Sequence, residues 1–216
     1  MTPRVTEAHL QARREQILTA AVRSFARRGL HAATMQDIAR EAELSAGALY
    51  RYFASKEEII EAMAEESRLQ NAGAFESVRQ EGDTARALIA LCLAFFSRLQ
   101  DPDVRASLPV EVGLWSEAAF SDGLRKVECE GLDGSVEALR ALIGAGQARG
   151  DIDPRLDAEA VARALASTFL GLQLQVMLRP EIDIPAYVDA VVALCTGSFW
   201  TGADVDRKAL TRAATA

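Results

Sequence analysis

The sequence contains few aromatic residues, few cysteines and no long uninterrupted apolar run. Aromatic side chains make up only 6% of the 216 residues, and alternating β-branched runs are rare, which argues against an all-β fold. The first 15 residues hold no apolar segment, and residues 164–178 are interrupted by Ser, Thr, Gly and Gln. We therefore expect neither a signal peptide nor a membrane-spanning helix, and no membrane partner.

The residues that most often carry catalysis or bind metals do not form a reactive set. Cys92, Cys129 and Cys195 are widely separated and fit no metal-ligand spacing, so we interpret them as small apolar residues in a reducing cytoplasm. His9 and His31 are expected in an N-terminal arm and a loop, where solvated histidines are common. The sequence therefore predicts no enzyme activity, no metal site and no cofactor.

Charge is distributed unevenly along the chain. The sequence has 24 basic and 31 acidic residues and a net charge of −7. Residues 1–56 carry nine basic and five acidic groups, a net charge of +4, so the remaining residues hold −11. A basic head on an acidic body is expected when one end of a protein meets a polyanion. A basic surface that is only solvated would give the same pattern.

Apolar residues recur at helical spacing through most of the chain, which predicts an all-α fold. Capping residues Thr34, Ser45 and Ser55 each precede a helical pattern, and Gly29 ends the first helix. The predicted helices span residues 6–28 (or from 10), 34–42, 45–53, 55 into the 70s, 84–100, 109–120, 121–148 (or from 124), 157–179 and 185–200. We place a domain boundary at residue 56, close to the start of the fourth helix.

Residues 34–58 have the pattern of a helix-turn-helix. A short first helix is followed by a tight turn through Glu43 and Leu44 and by a second short helix. Ala39 and Ala42 are small at positions where the two helices cross closely. This motif predicts that the second helix enters the major groove of DNA.

The outward face of the second helix carries the candidate DNA contacts. Small residues at its start allow a close approach to the groove, and Arg51 could read a guanine edge or hold a phosphate. An alternative is that Tyr50 and Tyr52 only cover the edge of the core and that Arg51 is solvated. The predicted DNA-binding residues are Thr34, Ser45, Ala46, Gly47, Ala48, Tyr50, Arg51, Tyr52 and Lys56.

Residues 13–60 resemble the DNA-binding domain of TetR/AcrR-type bacterial transcriptional regulators. The matching residues are Thr34, Ile38, Ala39, Ala42, Leu44, Ser45, Gly47, Tyr50, Tyr52, Phe53, Ser55, Lys56 and Glu57. The sequence departs from the pattern at Glu43-Leu44, where many members have Gly-Val, and at Ala46, where many have a polar residue. Fewer side chains are therefore expected to read bases.

The resemblance implies the architecture of the whole chain. It implies about nine helices, with an N-terminal three-helix helix-turn-helix DNA-binding domain over residues 1–56. Residues 57–216 would form a C-terminal helical ligand-binding and dimerisation domain. It further implies a homodimer that binds a double-stranded DNA operator near the bacterial nucleoid, with repression relieved by a small-molecule effector.

Candidate effector contacts come from aromatic and polar residues and one leucine in the acidic body. Trp115 could instead be a core aromatic, and Glu111 could simply favour the first turn of a helix after Pro109. A buried Glu111 would make a cationic or hydrogen-bonding effector plausible. The predicted ligand-binding residues are Phe95, Phe96, Glu111, Leu114, Trp115, Glu117, Phe120, Phe169 and Gln173.

The last two apolar helices are candidates for the dimer interface. Residues 158–178 are apolar on more than one face, and small residues there allow another helix to approach closely. The resemblance implies a four-helix bundle across a two-fold axis, although an intramolecular core would also fit. The predicted interface residues are Ala164, Ser167, Gly171, Leu174, Val188, Val191, Cys195 and Phe199. The alternative function is an all-α carrier or scaffolding dimer, which would leave the basic head unexplained.

Overall fold

The computed structural model describes residues 7–78 and 81–196, and these ranges contain nine helices and no strand. The prediction of an all-α fold is confirmed. The helices are α1 (Glu7–Arg28), α2 (Met35–Glu41), α3 (Ala46–Leu49), α4 (Lys56–Val78), α5 (Thr84–Arg98), α6 (Pro102–Ala118), α7 (Asp122–Arg149), α8 (Ala158–Leu178) and α9 (Ile184–Thr196).

Side-chain caps fix the starts of the short N-terminal helices. The Thr34 hydroxyl accepts from the Asp37 amide at 3.2 Å, and the Asp37 carboxylate accepts from the Thr34 amide at 3.1 Å. The Ser45 hydroxyl accepts from the Ala48 amide, also at 3.2 Å. These bonds satisfy amides that have no partner within a helix. Gly29, at φ 80°, stops α1 as predicted.

The start of α6 differs from the prediction. The helix begins at Pro102, after Asp101 accepts a hydrogen bond from the Asp103 amide, and Pro109 lies inside it. An aspartate cap followed by proline at the first helical position is a strong start signal. Leu108 and Val110 on either side of Pro109 are buried, so packing keeps this turn helical.

A single apolar core connects the helix-turn-helix to the body. Phe25, Ile38 and Leu49 are buried in it. Residues of three body helices belong to the same cluster: Ile59, Ile60, Met63 and Ala64 of α4, Val110, Leu114 and Ala118 of α6, and Leu124 of α7. A second core lies within the body, around Leu91, Val136, Leu139, Ile143 and Ala162.

The chain divides into two compact units, one ending at Ile182 and the other beginning at Asp183. The first contains α1 to α8, and the second contains α9. The first core contains residues from both sides of position 56. We therefore propose the boundary at residue 56 as a division of function between DNA binding and effector binding.

Helix α8 is long and apolar enough, by length and composition, to cross a membrane. Within the first unit it packs against α7 and α6. Its buried Gln173 donates to Glu111 of α6, so this helix carries a polar contact inside the protein.

Candidate nucleic-acid interface and effector site

The turn of the helix-turn-helix is held by backbone bonds and by α1. The Leu44 amide donates to the Ala39 carbonyl at 2.8 Å, and the Gln16 side chain donates to the Ala42 carbonyl at 2.7 Å. Glu43 sits at φ 55°, in the left-handed region that favours glycine. This is the position at which the sequence departs from the Gly-Val pattern, so the turn keeps its shape at some conformational cost.

Helix α3 presents an exposed surface of small residues followed by a tyrosine and an arginine. Ala46, Gly47, Tyr50 and Arg51 are all exposed, and Tyr50 retains 54% of its accessible area. A side chain added at Gly47 would meet nothing within 4 Å. In the described part of the chain, Arg51 takes part in no ion pair or side-chain hydrogen bond, so its guanidinium is available to a ligand. Four of the predicted DNA-binding residues therefore share one accessible surface.

Other predicted DNA contacts have structural partners. Ala48 is half-buried, and the ring of Tyr52 packs against the first core, as the alternative interpretation proposed. The hydroxyls of Thr34 and Ser45 accept the capping bonds of α2 and α3. Their present contacts stabilise the helix-turn-helix. Thr34 and Ser45 would contact DNA only by forming hydrogen bonds in addition to the capping bonds.

Lys56 has a role that the sequence did not predict. Its ammonium donates to the carbonyl oxygens of Leu30 at 2.8 Å, His31 at 3.2 Å and Ala33 at 3.3 Å. All three N–H donors of the ammonium are therefore used inside the protein. We correct the predicted phosphate contact: Lys56 ties the start of α4 to the loop between α1 and α2.

Several arginines of the basic head are already paired. Arg27 pairs with Glu41, while Arg28 and Arg40 approach Asp37 at 3.5 and 3.2 Å. The Thr34 hydroxyl lowers the pKa of Asp37 most, followed by the Thr34 amide and then by these two arginines. Three of the nine basic side chains of residues 1–56 are therefore paired within the protein, whereas Arg51 has no ion-pair partner among the described residues.

Five of the predicted effector residues lie together in the body. The rings of Phe95 and Phe96 are 5.1 and 5.6 Å from that of Phe169, and Gln173 Nε2 donates to Glu111 Oε2 at 2.9 Å. Gln173 follows Phe169 by one helical turn on α8. The aromatic and polar groups therefore meet where α5, α6 and α8 pack.

Sequence reasoning missed three neighbours of this site. The ring of Phe75 on α4 packs against that of Phe95 at a tilt, with 5.4 Å between their centroids, and Ser107 donates to Glu111 at 3.2 Å. Burial, followed by the charge of Glu111, raises the pKa of Glu128 on α7. Two signals in the sequence could have revealed these neighbours. Phe75 is an aromatic residue near the end of the long fourth helix, and Ser107 precedes Glu111 by four residues.

The other predicted effector residues lie elsewhere. Phe120 is 86% exposed where α6 ends, so its assignment to a pocket was wrong. Leu114 belongs to the core shared with the helix-turn-helix. Glu117 faces His31, with 3.3 Å between its carboxylate and Nε2. Trp115 is half-buried one turn beyond Glu111.

A small groove lies where α6 meets the end of α1. Its volume is about 260 Å³, and Glu117 and His31 are part of its wall. A β-carbon at Gly113 would come within 2.9 Å of Leu30 Cδ1, so glycine permits close contact between α6 and the loop that follows α1. The helix that carries Glu111 therefore also touches the DNA-binding region.

The predicted dimer residues divide into exposed and buried groups. Ala164, Ser167 and Leu174 of α8 and Cys195 of α9 are exposed, and a β-carbon on the half-buried Gly171 would meet nothing within 4 Å. Val188 and Val191 of α9 are buried, and their place in a dimer interface stays a prediction. Phe199 lies outside the described residues.

Known protein families match both the helix-turn-helix region and the body. Residues 17–63 match the sequence model of the bacterial regulatory proteins of the tetR family, and residues 84–196 match the C-terminal region of the BetI-type transcriptional repressor. The regulator TtgR of Pseudomonas putida is 28% identical over 197 residues, which cover 86% of this chain and 92% of TtgR.

Two further proteins are similar over most of their length. The nicotine-responsive repressor HdnoR of Paenarthrobacter nicotinovorans is 27% identical over 172 residues, 78% of this chain and 86% of HdnoR. The regulator FadR of Bacillus subtilis, solved with stearoyl-CoA, shares the fold with a TM-score of 0.72 at 24% identity, over 83% of this chain and 96% of FadR. The chain belongs to the TetR family of bacterial transcriptional regulators and is not an enzyme.

Proposed function

We propose that this regulator is a cytoplasmic homodimeric repressor that a small molecule releases from a palindromic DNA operator. The observation that carries the proposal is the accessible surface of α3, where small residues lead to an exposed Tyr50 and an exposed Arg51. Small side chains let a helix enter the major groove deeply, and an accessible guanidinium can meet a guanine edge or a phosphate.

Exposed apolar residues on the last two helices support the dimer. Leu174 and Leu178 of α8 are 42% and 67% exposed, and Leu194 of α9 is 59% exposed. Burying such side chains against a second copy is favourable by about 25 cal/mol per Å² of apolar surface. A two-fold dimer would place two α3 helices on successive major-groove faces, about 34–36 Å apart or somewhat more.

The effector is proposed to bind among the aromatic and polar groups of the body. One relative is nicotine-responsive, and FadR was solved with stearoyl-CoA. These two molecules differ in charge and size, so the fold does not dictate the effector.

Helix α4 supports a mechanical connection between the two sites. Its first residue, Lys56, holds the loop between α1 and α2, and Phe75 near its other end packs against Phe95. A helix of 23 residues spans about 35 Å, so one rigid element reaches both sites. An effector that prefers the spacing of the two heads that fits DNA poorly would shift the dimer toward release.

The test begins with selection of binding sites from a randomised duplex library by the full chain. We expect a pseudo-palindrome bound by a dimer, with log K falling against log salt at a slope of about −7 for about 8 phosphate contacts. The chain should sediment as a dimer at the concentrations used. A monomer that binds no duplex, or an affinity that salt does not change, would refute the proposal in favour of a carrier or scaffold.

A further inference from the structure

The body contains a polar cluster that lacks one partner. Glu111 of α6 accepts from Ser107 at 3.2 Å and from Gln173 Nε2 at 2.9 Å. Gln173 retains only 7% of its accessible area, and its Oε1 has no hydrogen-bond partner within the described chain. A buried carbonyl oxygen without a donor destabilises the folded chain, so we expect this acceptor to bind a ligand donor.

The same cluster brings two carboxylates together without an internal counter-charge. Glu128 lies on α7, which packs against α6, and its pKa is raised first by burial and then by the charge of Glu111. Arg98 of α5 acts on Glu111 from outside, but it is exposed and its guanidinium donates to Gln70 at 3.4 Å. Two half-buried carboxylates and an unfilled acceptor form a site for a positive group that also donates hydrogen bonds.

The apolar surroundings define the rest of the ligand. Phe169 lies one turn before Gln173 on α8 and contacts the rings of Phe95 and Phe96. An aryl or alkyl group could pack on these rings while its charged end reaches the carboxylates. A neutral hydrogen-bond donor could satisfy Gln173 but would leave the repulsion between Glu111 and Glu128 in place.

We propose that the effector of this regulator is a primary or secondary organic ammonium with an apolar group. Its N–H donates to Gln173 Oε1, and its charge lies against Glu111 and Glu128. The inference rests on the proposed function, because it assumes that the body is the effector-binding region.

Proton exchange should accompany binding. Burial raises the pKa of Glu111, against the opposing effects of Ser107, Arg98 and Gln173, and burial followed by repulsion from Glu111 raises that of Glu128. An ammonium favours the ionised carboxylates, so binding should release protons at pH values below the raised pKa values. Ammonium affinity should therefore increase with pH across that range and then level off.

The test compares three probes that share one apolar group: 3-phenylpropylammonium, its N-trimethyl analogue and the neutral 3-phenylpropan-1-ol. Each is titrated calorimetrically into the full chain. We expect the ammonium to bind at least about 10-fold more tightly than the alcohol. Proton release should appear as a binding enthalpy that varies with the ionisation enthalpy of the buffer. The trimethyl analogue, which lacks an N–H donor, should bind more weakly than the ammonium.

Matched variants locate the effect. Glu111→Gln keeps the shape and should weaken the ammonium by about 10-fold or more while leaving the alcohol unchanged. Glu130→Gln, an exposed glutamate on the same helix as Glu128, removes the same charge and should change neither probe. Gln173→Met should abolish the preference for the ammonium over its trimethyl analogue. Retained binding to the selected duplex shows that each variant is folded.

Three results would overturn the inference. They are equal affinities for ammonium and alcohol, an ammonium affinity weaker than about 1 mM, and no effect of Glu111→Gln relative to Glu130→Gln. If Glu111→Gln fails to fold, the probe comparison and proton release in the unaltered chain decide. If these results overturn the inference but the chain still binds the duplex, the proposed function is not refuted. If the chain binds no duplex, the proposed function is refuted whatever the probes show.

Discussion

Replacing Glu43 by glycine should stabilise the protein. Glu43 adopts φ 55°, and a non-glycine residue in the left-handed region costs about 1–2 kcal/mol. Glycine loses more backbone entropy on folding, which offsets about 0.5–1 kcal/mol of that gain. The turn bonds from the Glu43 amide to Arg40 and from the Leu44 amide to Ala39 are made by the backbone and remain available. We therefore expect a net gain of about 0.5–1 kcal/mol.

The measurement is urea unfolding of the full chain at one fixed protein concentration, since dimerisation couples stability to concentration. In a thermal scan the same gain would raise the midpoint by about 1–4 °C for a chain of this length. Glu43→Ala is the matched control because it removes the exposed carboxylate but keeps the β-carbon. It should give no gain.

Either of two results would refute the reasoning. An equal gain from Glu43→Ala would identify removal of a negative charge as the cause, and a loss of stability in Glu43→Gly would show that the turn is not under conformational cost. Duplex affinity provides a further check, because the backbone argument predicts the same salt slope for Glu43→Gly and Glu43→Ala.

Four further substitutions test the roles of individual side chains. Lys56→Ala should lower the free energy of unfolding by about 1–2 kcal/mol and leave the salt slope of duplex binding unchanged, whereas Arg51→Ala should reduce that slope by about 1 with little effect on unfolding. If Arg51 reads a guanine, Arg51→Ala should also relax the base preference at one position of the selected duplex. Since burial raises the pKa of Glu111 above 4.5, the folded chain holds this proton more tightly than the unfolded chain, and its contribution to stability falls as pH rises above 4.5. Glu111→Gln should therefore raise the urea midpoint near pH 7, with the gain disappearing near pH 4; a constant gain would contradict this assignment. Phe120→Ser should leave probe affinity unchanged, and a clear loss in calorimetry would return Phe120 to the effector site.

The helix-turn-helix could be predicted because its determinants are local. The caps at Thr34 and Ser45 and the small residues at Ala39 and Ala42 specify two short helices and their close crossing. Each feature depends on residues a few positions apart in sequence. The structure reproduces these helices, with α3 ending at Leu49, four residues before the predicted end.

The errors arise where long-range contacts decide the outcome. The sequence contains no sign that the Lys56 ammonium is surrounded by three carbonyls of the preceding loop. Whether Phe120 points inward depends on where α6 ends, and the prediction had already misplaced its start. Helix α8 is apolar on several faces, so periodicity could not separate its packed residues from its exposed ones.

The core that crosses residue 56 limits how this regulator can be recombined. Exchanging residues 1–56 for those of a relative would place foreign side chains against Val110, Leu114 and Ala118 of the original α6. The fit between Leu30 and Gly113 would be lost unless both partners were exchanged together. Residues 1–56 therefore cannot be transferred to or from another regulator as an independent DNA-binding domain. Chimeric regulators built from it should carry the facing surface of α6 along with the helix-turn-helix.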